Sequence, residues 1–564
     1  MKKLIILFLI LNSAFCIHNS CTAQNYQWAH GFGGPNYDSQ GNSIATDAQG
    51  NVYVTGTFGD SIDFDPGNGN DTLPANGETM FIAKYDSSGT YKWAIATEGL
   101  GTSNGKHISV SIHGVFIIGQ FNGTVDFDPG IGVVSLTTLS SNTSFIARYD
   151  NFGSLIWVFK IDGSVNDFDL DIDGNIYLTG VFGNTVDFDP SPQTYNLTSI
   201  GGSDVFTAKY DSSNNLTWAK NFGGNFGDAG FSLLLINNEI IIHGLISDTV
   251  DMDPGTNVTI LVSPVPLPDA SYFLAKYDTS GNYLMAFIAP KAGFTELSKS
   301  MSANSSFYVV GTFSGTTDFD LTIGTYNLTS VGQQDVCFAK FDINLELIWA
   351  KSFGASNFTD VGWGIKENTT GKIFLAGFFG NTADFDPGSG VANLTSAGNS
   401  DVFLAKYDTA GNYIWAGRMG GTQQDAALSL SLDVNDNQYL TGFFENIADF
   451  DPYVATVNLT GLPFIHSIFI AKYDDVLNGV FFAQKPDELK LTIYPNPANN
   501  GVAITAKEKI KELAIFNVLG EEIFNATSVA SHINLSTSPL PNGIYFVQLT
   551  SEKKSVTQKL IVQH

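Results

Sequence analysis

One pattern recurs along this chain at a fixed spacing and limits what it can fold into. An Asp-Phe-Asp-Pro element begins at Asp63, Asp126, Asp187, Asp251, Asp318, Asp384 and Asp449. An Ala-Lys-Tyr-Asp element follows each one, at Ala83, Ala147, Ala208, Ala275, Ala339, Ala405 and Ala471. A period of about 64 residues, written about seven times, is a repeat architecture in which each unit buries its apolar faces against its neighbours. Within the first unit the sequence predicts four short strands, at 43–46, 52–56, 81–85 and 91–96. Gly, Asn and Asp bound them, as consecutive hairpins require. Four-stranded units placed around an axis cover each other's faces and leave only short outer edges, which predicts an all-β chain built as a seven-bladed β-propeller. A β-helix needs a shorter period, and a row of sandwiches would show linkers.

Two segments compete to complete the ring. Gln27-Trp28-Ala29-His30 matches the fourth-strand pattern of Lys92-Trp93-Ala94 and Ile414-Trp415-Ala416 yet precedes the first full unit. Val480-Phe481-Phe482-Ala483 is the rival; the N-terminal segment carries the full Trp-Ala motif.

The ends of the chain differ from its middle. Lys2-Lys3 precedes the apolar run 4–15, the charged and apolar regions of a secretory signal peptide over 1–23, with cleavage expected before Gln24. A lipoprotein signal is the alternative, but Phe15 before Cys16 and His18 ahead of Cys21 spoil that pattern. No second apolar run is long enough to cross a membrane, so no transmembrane segment is expected in the mature chain. Cys337 is then the one cysteine of the mature chain, placed where Phe81 and Phe403 stand in sister repeats, and is expected to pack in the core. The formal net charge of −28 argues against nucleic acid and anionic membranes as partners and suits cation binding or solubility. The repeats are expected over 24–484. A polar linker at 485–490 follows, and the periodicity stops there. The tail 491–564 is near neutral and reads as a separate small sandwich of about seven short strands.

The segment Gly50-Asn51-Val52-Tyr53-Val54-Thr55-Gly56, with Ala-Lys-Tyr-Asp and the Trp strand, resembles the bacterial β-propeller repeat family called SBBP. That resemblance implies the fold and an exported setting, and no common ligand or reaction. The tail carries Ile493-Tyr494-Pro495-Asn496-Pro497, Ile515-Phe516-Asn517-Val518-Leu519-Gly520 and Leu540-Pro541-Asn542-Gly543-Ile544-Tyr545-Phe546-Val547 in order. It resembles the type A C-terminal sorting domain of the type IX secretion system of Bacteroidetes-type bacteria, an Ig-like sandwich. The resemblance implies that 491–564 engages the type IX machinery and that the protein is secreted or attached to the outer-membrane surface.

The repeated carboxylates are the candidate site. Asp63 and Asp65, Asp126 and Asp128, Asp187 and Asp189, Asp251 and Asp253, Asp318 and Asp320, Asp384 and Asp386, Asp449 and Asp451 fall in the connection between the second and third strands. The crossover to the next blade shares that end and carries Gly33-Gly34 and Asp38, Gly223-Gly224 and Asp228, Gly420-Gly421 and Asp425. Carboxylates and backbone oxygens are ligands for Ca2+. The alternative is that each Asp caps a turn by accepting from nearby backbone N–H groups, and sevenfold repetition favours that structural duty. Asp169-Leu170-Asp171-Ile172-Asp173-Gly174 begins like an EF-hand loop but lacks the Glu at the twelfth position and aligns with the turn 47–51. The Lys of Ala-Lys-Tyr-Asp reads as a partner for carboxylates, and Trp93, Trp157, Trp218, Trp349 and Trp415 read as packing between blades. No nucleophile elbow, phosphate loop or metal-spaced His cluster occurs, so no catalytic residue and no cofactor besides calcium is expected. The expected function is binding of a protein or glycan ligand by a secreted or surface propeller. A secreted hydrolase or lyase with a carboxylate site on the acidic face is the alternative. The Pro-rich segment 262–270 is the most irregular part of the repeats and the place to seek a single site.

Overall fold

The computed structural model describes residues 25–474 and 491–564, apart from 76, 266–269, 290–293, 302–305, 323, 454, 507–510, 518–521, 528–531 and 551–554. The leader, the linker, the rival closing segment 480–483 and residues 266–269 of the Pro-rich stretch lie outside the described residues. The described residues are all-β, with no helix among them. Two units separate, Tyr26–Asp474 and the tail.

In the first repeat the strands are Gln40–Thr46, Val52–Phe58, Thr79–Tyr85 and Tyr91–Ala96, hydrogen-bonded in that order and antiparallel. The sequence placed all four, the last over its full length and the other three short at one end. Each turn has a local cause. Asp47 Oδ1 accepts from Gln49 N at 2.9 Å and Asn51 N at 2.9 Å, and Gly50 takes φ +77° to close the hairpin. Asp86 does the same between the third and fourth strands, accepting from Ser88 N at 2.9 Å and Thr90 N at 3.0 Å, with Gly89 at φ +80°. An Asp side chain that mimics a turn carbonyl and a Gly free to adopt positive φ are what such tight turns require.

Seven sheets repeat this order. The first strand of each adjoins the first strand of the next, and that of the seventh adjoins that of the first. The seventh sheet draws three strands from Asp425–Leu432, Gln438–Phe444 and Ser467–Asp474, and its fourth strand is Asn25–Phe32 from the other end of the chain. Gln27 Nε2 donates to Asp474 Oδ2 at 2.7 Å across that pair.

The core lies between sheets. One apolar cluster joins Phe32, Tyr439 and Ile468 of the seventh sheet to Ile44, Val54 and Phe81 of the first; another joins Tyr308 and Val310 to Ile365, Leu375 and Phe403. Both faces of a sheet are therefore covered, and Val52–Phe58 is buried along its whole length. A strand buried on both sides does not alternate, which is why Phe81, Ile82 and Ala83 are all buried despite facing opposite ways. Each such Phe or Ile contributes about 1.5–3 kcal/mol by leaving water. Cys337 is one of these core residues, and burial pushes its thiol well above the ordinary range.

The tail forms two sheets. One holds Leu491–Tyr494, Gly501–Ala506 and His532–Ser536; the other holds Glu522–Thr527, Glu512–Asn517, Gly543–Thr550 and Ser555–Val562. Ile493, Val502 and Ile504 from the first meet Leu513, Ile515, Val547 and Leu560 from the second in one core.

Candidate functional site

The Asp-Phe-Asp-Pro elements occupy a feature the sequence did not reveal: an extra two-stranded hairpin between the second and third strands. In the third repeat it pairs Thr185–Asp187 with Asn196–Thr198. The first Asp of each pair closes the hairpin through one oxygen. Asp187 Oδ1 accepts from Asp189 N at 3.0 Å and Tyr195 N at 2.8 Å. Asp63, Asp126, Asp251, Asp318, Asp384 and Asp449 each take the same two backbone donors, two and eight residues ahead. The second Asp caps the following turn: Asp65, Asp128, Asp189, Asp253, Asp320, Asp386 and Asp451 each accept from the N–H two residues on.

The residue between the two Asp explains why the two motifs always travel together. Phe64, Phe127, Phe188, Met252, Phe319, Phe385 and Phe450 are buried. In six repeats the Tyr of the Ala-Lys-Tyr-Asp element donates its hydroxyl to that residue's carbonyl, as Tyr210 does to Phe188 O at 2.7 Å and Tyr407 to Phe385 O at 2.9 Å. Phe341 stands in place of the Tyr in the fifth repeat. A buried carbonyl without a donor costs about 1–3 kcal/mol, so the tyrosine and the acidic hairpin form one structural unit.

The crossovers share this end: Asp126 pairs with Glu98, Ala383 with Ala355, and Asp449 with Gly420. Their carboxylates are not exposed ligands. Asp228, Asp360 and Asp425 are buried, and each faces a second buried Asp at the start of the preceding sheet's third strand: Asp204, Asp335 and Asp401. Asp228 accepts from Gly224 N and Ser247 N, both at 2.7 Å; Asp425 accepts from Gly421 N at 2.6 Å and Glu445 N at 3.2 Å. Burial, reinforced by the facing carboxylate, lifts Asp228 to about 6 and Asp360 and Asp425 to about 7, against the N–H bonds that lower them. Strand register places Ser39, not Asp38, at the equivalent position of the first repeat. Asp38 Oδ1 instead accepts from His466 N at 2.9 Å. Sequence reasoning grouped Asp38 with Asp228 and Asp425, one residue out of register.

The EF-hand-like stretch is divided between two elements. Asp169 and Leu170 are the last residues of the first strand of its repeat, Ser164–Leu170, and Asp171 caps the hairpin turn by accepting from Asp173 N at 3.1 Å and Asn175 N at 2.9 Å, as Asp47 does in the first repeat. The Trp side chains bridge neighbouring repeats. Trp93 Nε1 donates to Asn151 O at 3.2 Å, Trp218 to Thr279 O at 3.2 Å and Trp349 to Thr409 O at 3.2 Å. Trp28 makes the same bond from the N-terminal strand to Ser87 O at 3.3 Å. The motif Lys does not pair mainly with carboxylates: Lys84, Lys209, Lys340 and Lys472 lie over the rings of Tyr53, Tyr177, Tyr308 and Tyr439. Lys276 combines an ion pair to Glu239 at 3.1 Å with a bond to Ile343 O in the next repeat.

A further site was missed because it depends on three-dimensional register. The first strands enclose a cavity of about 760 Å³, lined by Asn42–Thr46, His107–Val110, Asp167, Asp169, Phe231, Ser232, Gly362–Glu367 and Leu428–Leu432. Each first strand carries a β-bulge, and the extra residue is Asn42, Lys106, Asn166, Phe231, Trp363 or Leu428 in six of the repeats. One position beyond the bulge, side chains tie adjacent strands together: Ser43 Oγ accepts from Ile108 N at 3.2 Å, Asp167 Oδ2 from Leu233 N at 2.8 Å and Ser429 Oγ from Ile44 N at 3.2 Å. Among the described residues no group of three or more His, Cys, Asp or Glu side chains is arranged to hold a metal ion.

Known proteins resemble this chain in parts. Residues 492–563 match the secretion system C-terminal sorting domain, and residues 27–57 match the β-propeller repeat. A WD repeat-containing protein of Acanthamoeba polyphaga mimivirus is 24% identical over 330 residues, covering 48% of this chain and 24% of that protein. The regulatory protein FlaEY of Caulobacter vibrioides is 29% identical over 111 residues, 20% of this chain and 12% of its own length. The chain thus spans about a quarter or less of these relatives. Among solved structures, PorZ, a surface component of the type IX secretion system of Porphyromonas gingivalis, aligns over 93% of this chain and 82% of its own at 11% identity and a TM-score of 0.25. Latent PorU of the same organism aligns over 65% and 32% at 10% identity and a TM-score of 0.11. The chain thus carries a β-propeller repeat at 27–57 and a secretion-system sorting domain at 492–563, and the sorting domain indicates type IX secretion to the cell surface or the extracellular space.

Proposed function

We propose that the seven sheets are the blades of one closed propeller, that residues 1–23 are a cleaved leader, and that the Ig-like tail is an address read by the type IX machinery. The propeller is then displayed outside the cell to bind a protein or glycan. The observation that carries the binding reading is the character of the hairpin end. Ile131, Val133, Val258 and Val391 are exposed there, between 72% and 109% of full exposure, on the loops that close the hairpins of the second, fourth and sixth repeats. Apolar side chains at the tips of these hairpins suit a contact surface. The carboxylates beside them are tied to backbone N–H groups, a holding role rather than a reactive one. Calcium bound at the fourteen hairpin carboxylates remains a separate proposal, tested below.

Deleting 491–564 in the native host tests the export reading. The truncated chain should accumulate, folded, in the periplasm, and the tail fused behind a signal peptide on an unrelated passenger should carry that passenger out. Normal surface display of the truncated chain would overturn it. For the binding reading, turnover of a polysaccharide or peptide that vanishes on mutating one hairpin Asp would favour the hydrolase or lyase instead.

A further inference from the structure

Among the described residues, those that adopt positive φ without being glycine are Asn or Asp, with two exceptions, Leu345 and Phe464. Asn and Asp tolerate that conformation because a short polar side chain can bond locally, whereas a bulky apolar residue is strained in it. Leu345, at φ +63°, is fully buried in the core between repeats, and its packing accounts for it. Phe464, at φ +61°, is 76% exposed. It follows Pro463 in a turn closed by the pairing of Leu462 with Ile465, at the position where Gly or Asn is ordinary. Its ring buries little surface in return for the strain, and strain held without packing marks a place where a side chain is being presented.

Phe464 stands where the seventh repeat meets the first. His466 N donates to Asp38 Oδ1 at 2.9 Å, and Ser39 N donates to His466 O at 2.9 Å, so the turn 461–466 lies along the crossover 33–39. On these two segments Tyr37 is 52% exposed and Leu462 41%. Gly59 makes room for Tyr37, since a Cβ there would fall 2.4 Å from Tyr37 Cβ. Three exposed apolar side chains thus share one junction. The charge around them is one-sided. Residues 25–83 and 419–471, which form the junction, contain no lysine or arginine. The nearby carboxylates are Asp38, Asp60, which accepts from Asn36 N at 2.6 Å, and Glu445, which faces His466 Nε2 at 3.3 Å.

We propose that this junction docks a basic segment of a partner protein. An apolar side chain of that segment seats against Phe464, Leu462 and Tyr37, and its lysines or arginines face the surrounding carboxylates. Charge selects the occupant: a second copy of this chain brings a net charge of −28 and is repelled, as an anionic surface would be. An aromatic anchor ringed by polar groups is the usual centre of such an interface. The proposal rests on the binding reading above and names its protein half, at a site separate from the hairpin tips.

The test is selection of a displayed random peptide library on the full chain, followed by titration of the enriched sequences as free peptides. Those peptides should be net positive with a large apolar residue, and their affinity should fall as salt rises from about 50 to 500 mM. Phe464→Gly should weaken binding about tenfold or more while its urea midpoint equals or exceeds that of the parent, because glycine takes positive φ without strain. Phe464→Asn, the residue found at the other left-handed positions, should do the same and carries the test if the glycine variant fails to fold. Ile172→Ser, at the opposite end of the sheets, should leave binding unchanged. No enrichment, enriched peptides that are neutral or acidic, or affinities untouched by either Phe464 variant would overturn the proposal. So would a urea midpoint well below the parent in both variants, which would give Phe464 a structural duty instead. Peptides lost on Ile131→Ser but kept by the Phe464 variants would overturn it as well, while leaving the hairpin-tip reading intact.

Discussion

The Asp401–Asp425 pair sets a pH dependence that one substitution should remove. Asp401 Oδ2 accepts from Ala397 N at 2.8 Å and from Arg418 Nη1 at 2.6 Å, while its Oδ1 is buried without a partner. A Cβ built on Gly420 would lie 2.8 Å from both Asp401 Oδ1 and Asp425 Oδ2, so both oxygens border the same space beside Gly420. We predict that the pair shares one proton there. Asp425 is lifted to about 7, by burial first and by the facing carboxylates of Asp401 and Glu445 after it. A carboxyl raised in the folded state contributes stability that is complete below its unfolded value near 4 and is lost as pH climbs through about 7. In Asp401→Asn the amide oxygen can keep the Ala397 and Arg418 bonds, and the amide nitrogen falls where the unpartnered oxygen was and donates to Asp425. One charge is gone and the remaining carboxylate gains a donor, so Asp425 should titrate lower. Burial stays, so only the part due to the facing charge is relieved, on the order of 1–2 kcal/mol.

The variant should therefore gain about 1–2 kcal/mol on the parent between pH 5 and pH 8.5. Weakening of the Arg418 bond subtracts a similar amount at both pH values and cancels in that difference. His243, which burial holds down at about 3, is unchanged by the substitution and cancels too. Thermal melts are a poor assay, since for a unit as long as Tyr26–Asp474 the unfolding entropy allows only about 1 °C per kcal/mol. Urea unfolding followed by Trp fluorescence at the two pH values is the measurement. A variant equally displaced from the parent at pH 5 and pH 8.5 would refute the shared proton and leave Asp401 as the partner of Arg418 alone.

Two further outcomes are expected. Because the first carboxylate of each hairpin already accepts two N–H bonds, melting curves in millimolar Ca2+ and in chelator should coincide; a rise with Ca2+ would establish binding by mass action. Trp28→Ala removes packing at the closing strand and its bond to Ser87 O, and should cost roughly 1–3 kcal/mol for this half-buried side chain with proteolysis gained first at Asn25–Phe32; cleavage starting elsewhere would count against that strand as the lock.

Much of this arrangement was legible because structural duties repeat. The caps at Asp47, Asp86 and the hairpin Asp residues use donors two to eight residues away, so their spacing is written in the sequence. The hairpin itself was missed because strands as short as Ile62–Asp63 and Thr72–Leu73 carry no readable alternation. The buried Asp pairs occur at three junctions and join residues of different repeats, and a one-residue shift decides whether Ser39 or Asp38 is the counterpart. The cavity wall was invisible for a related reason: a bulge turns one residue per inner strand, and no local pattern announces Trp363 beside its plainer counterparts.

The N-terminal strand has a consequence for the order of assembly. Gln27 and Asp474 are bonded across a sequence separation of 447 residues, so the seventh sheet lacks its outer strand until the seventh repeat has been made and folded. Contacts this distant are formed late, after the loop they close has been shortened by everything between them. Synthesised in order, the chain holds one strand in waiting through every intermediate repeat and can pair it only once the seventh sheet has formed.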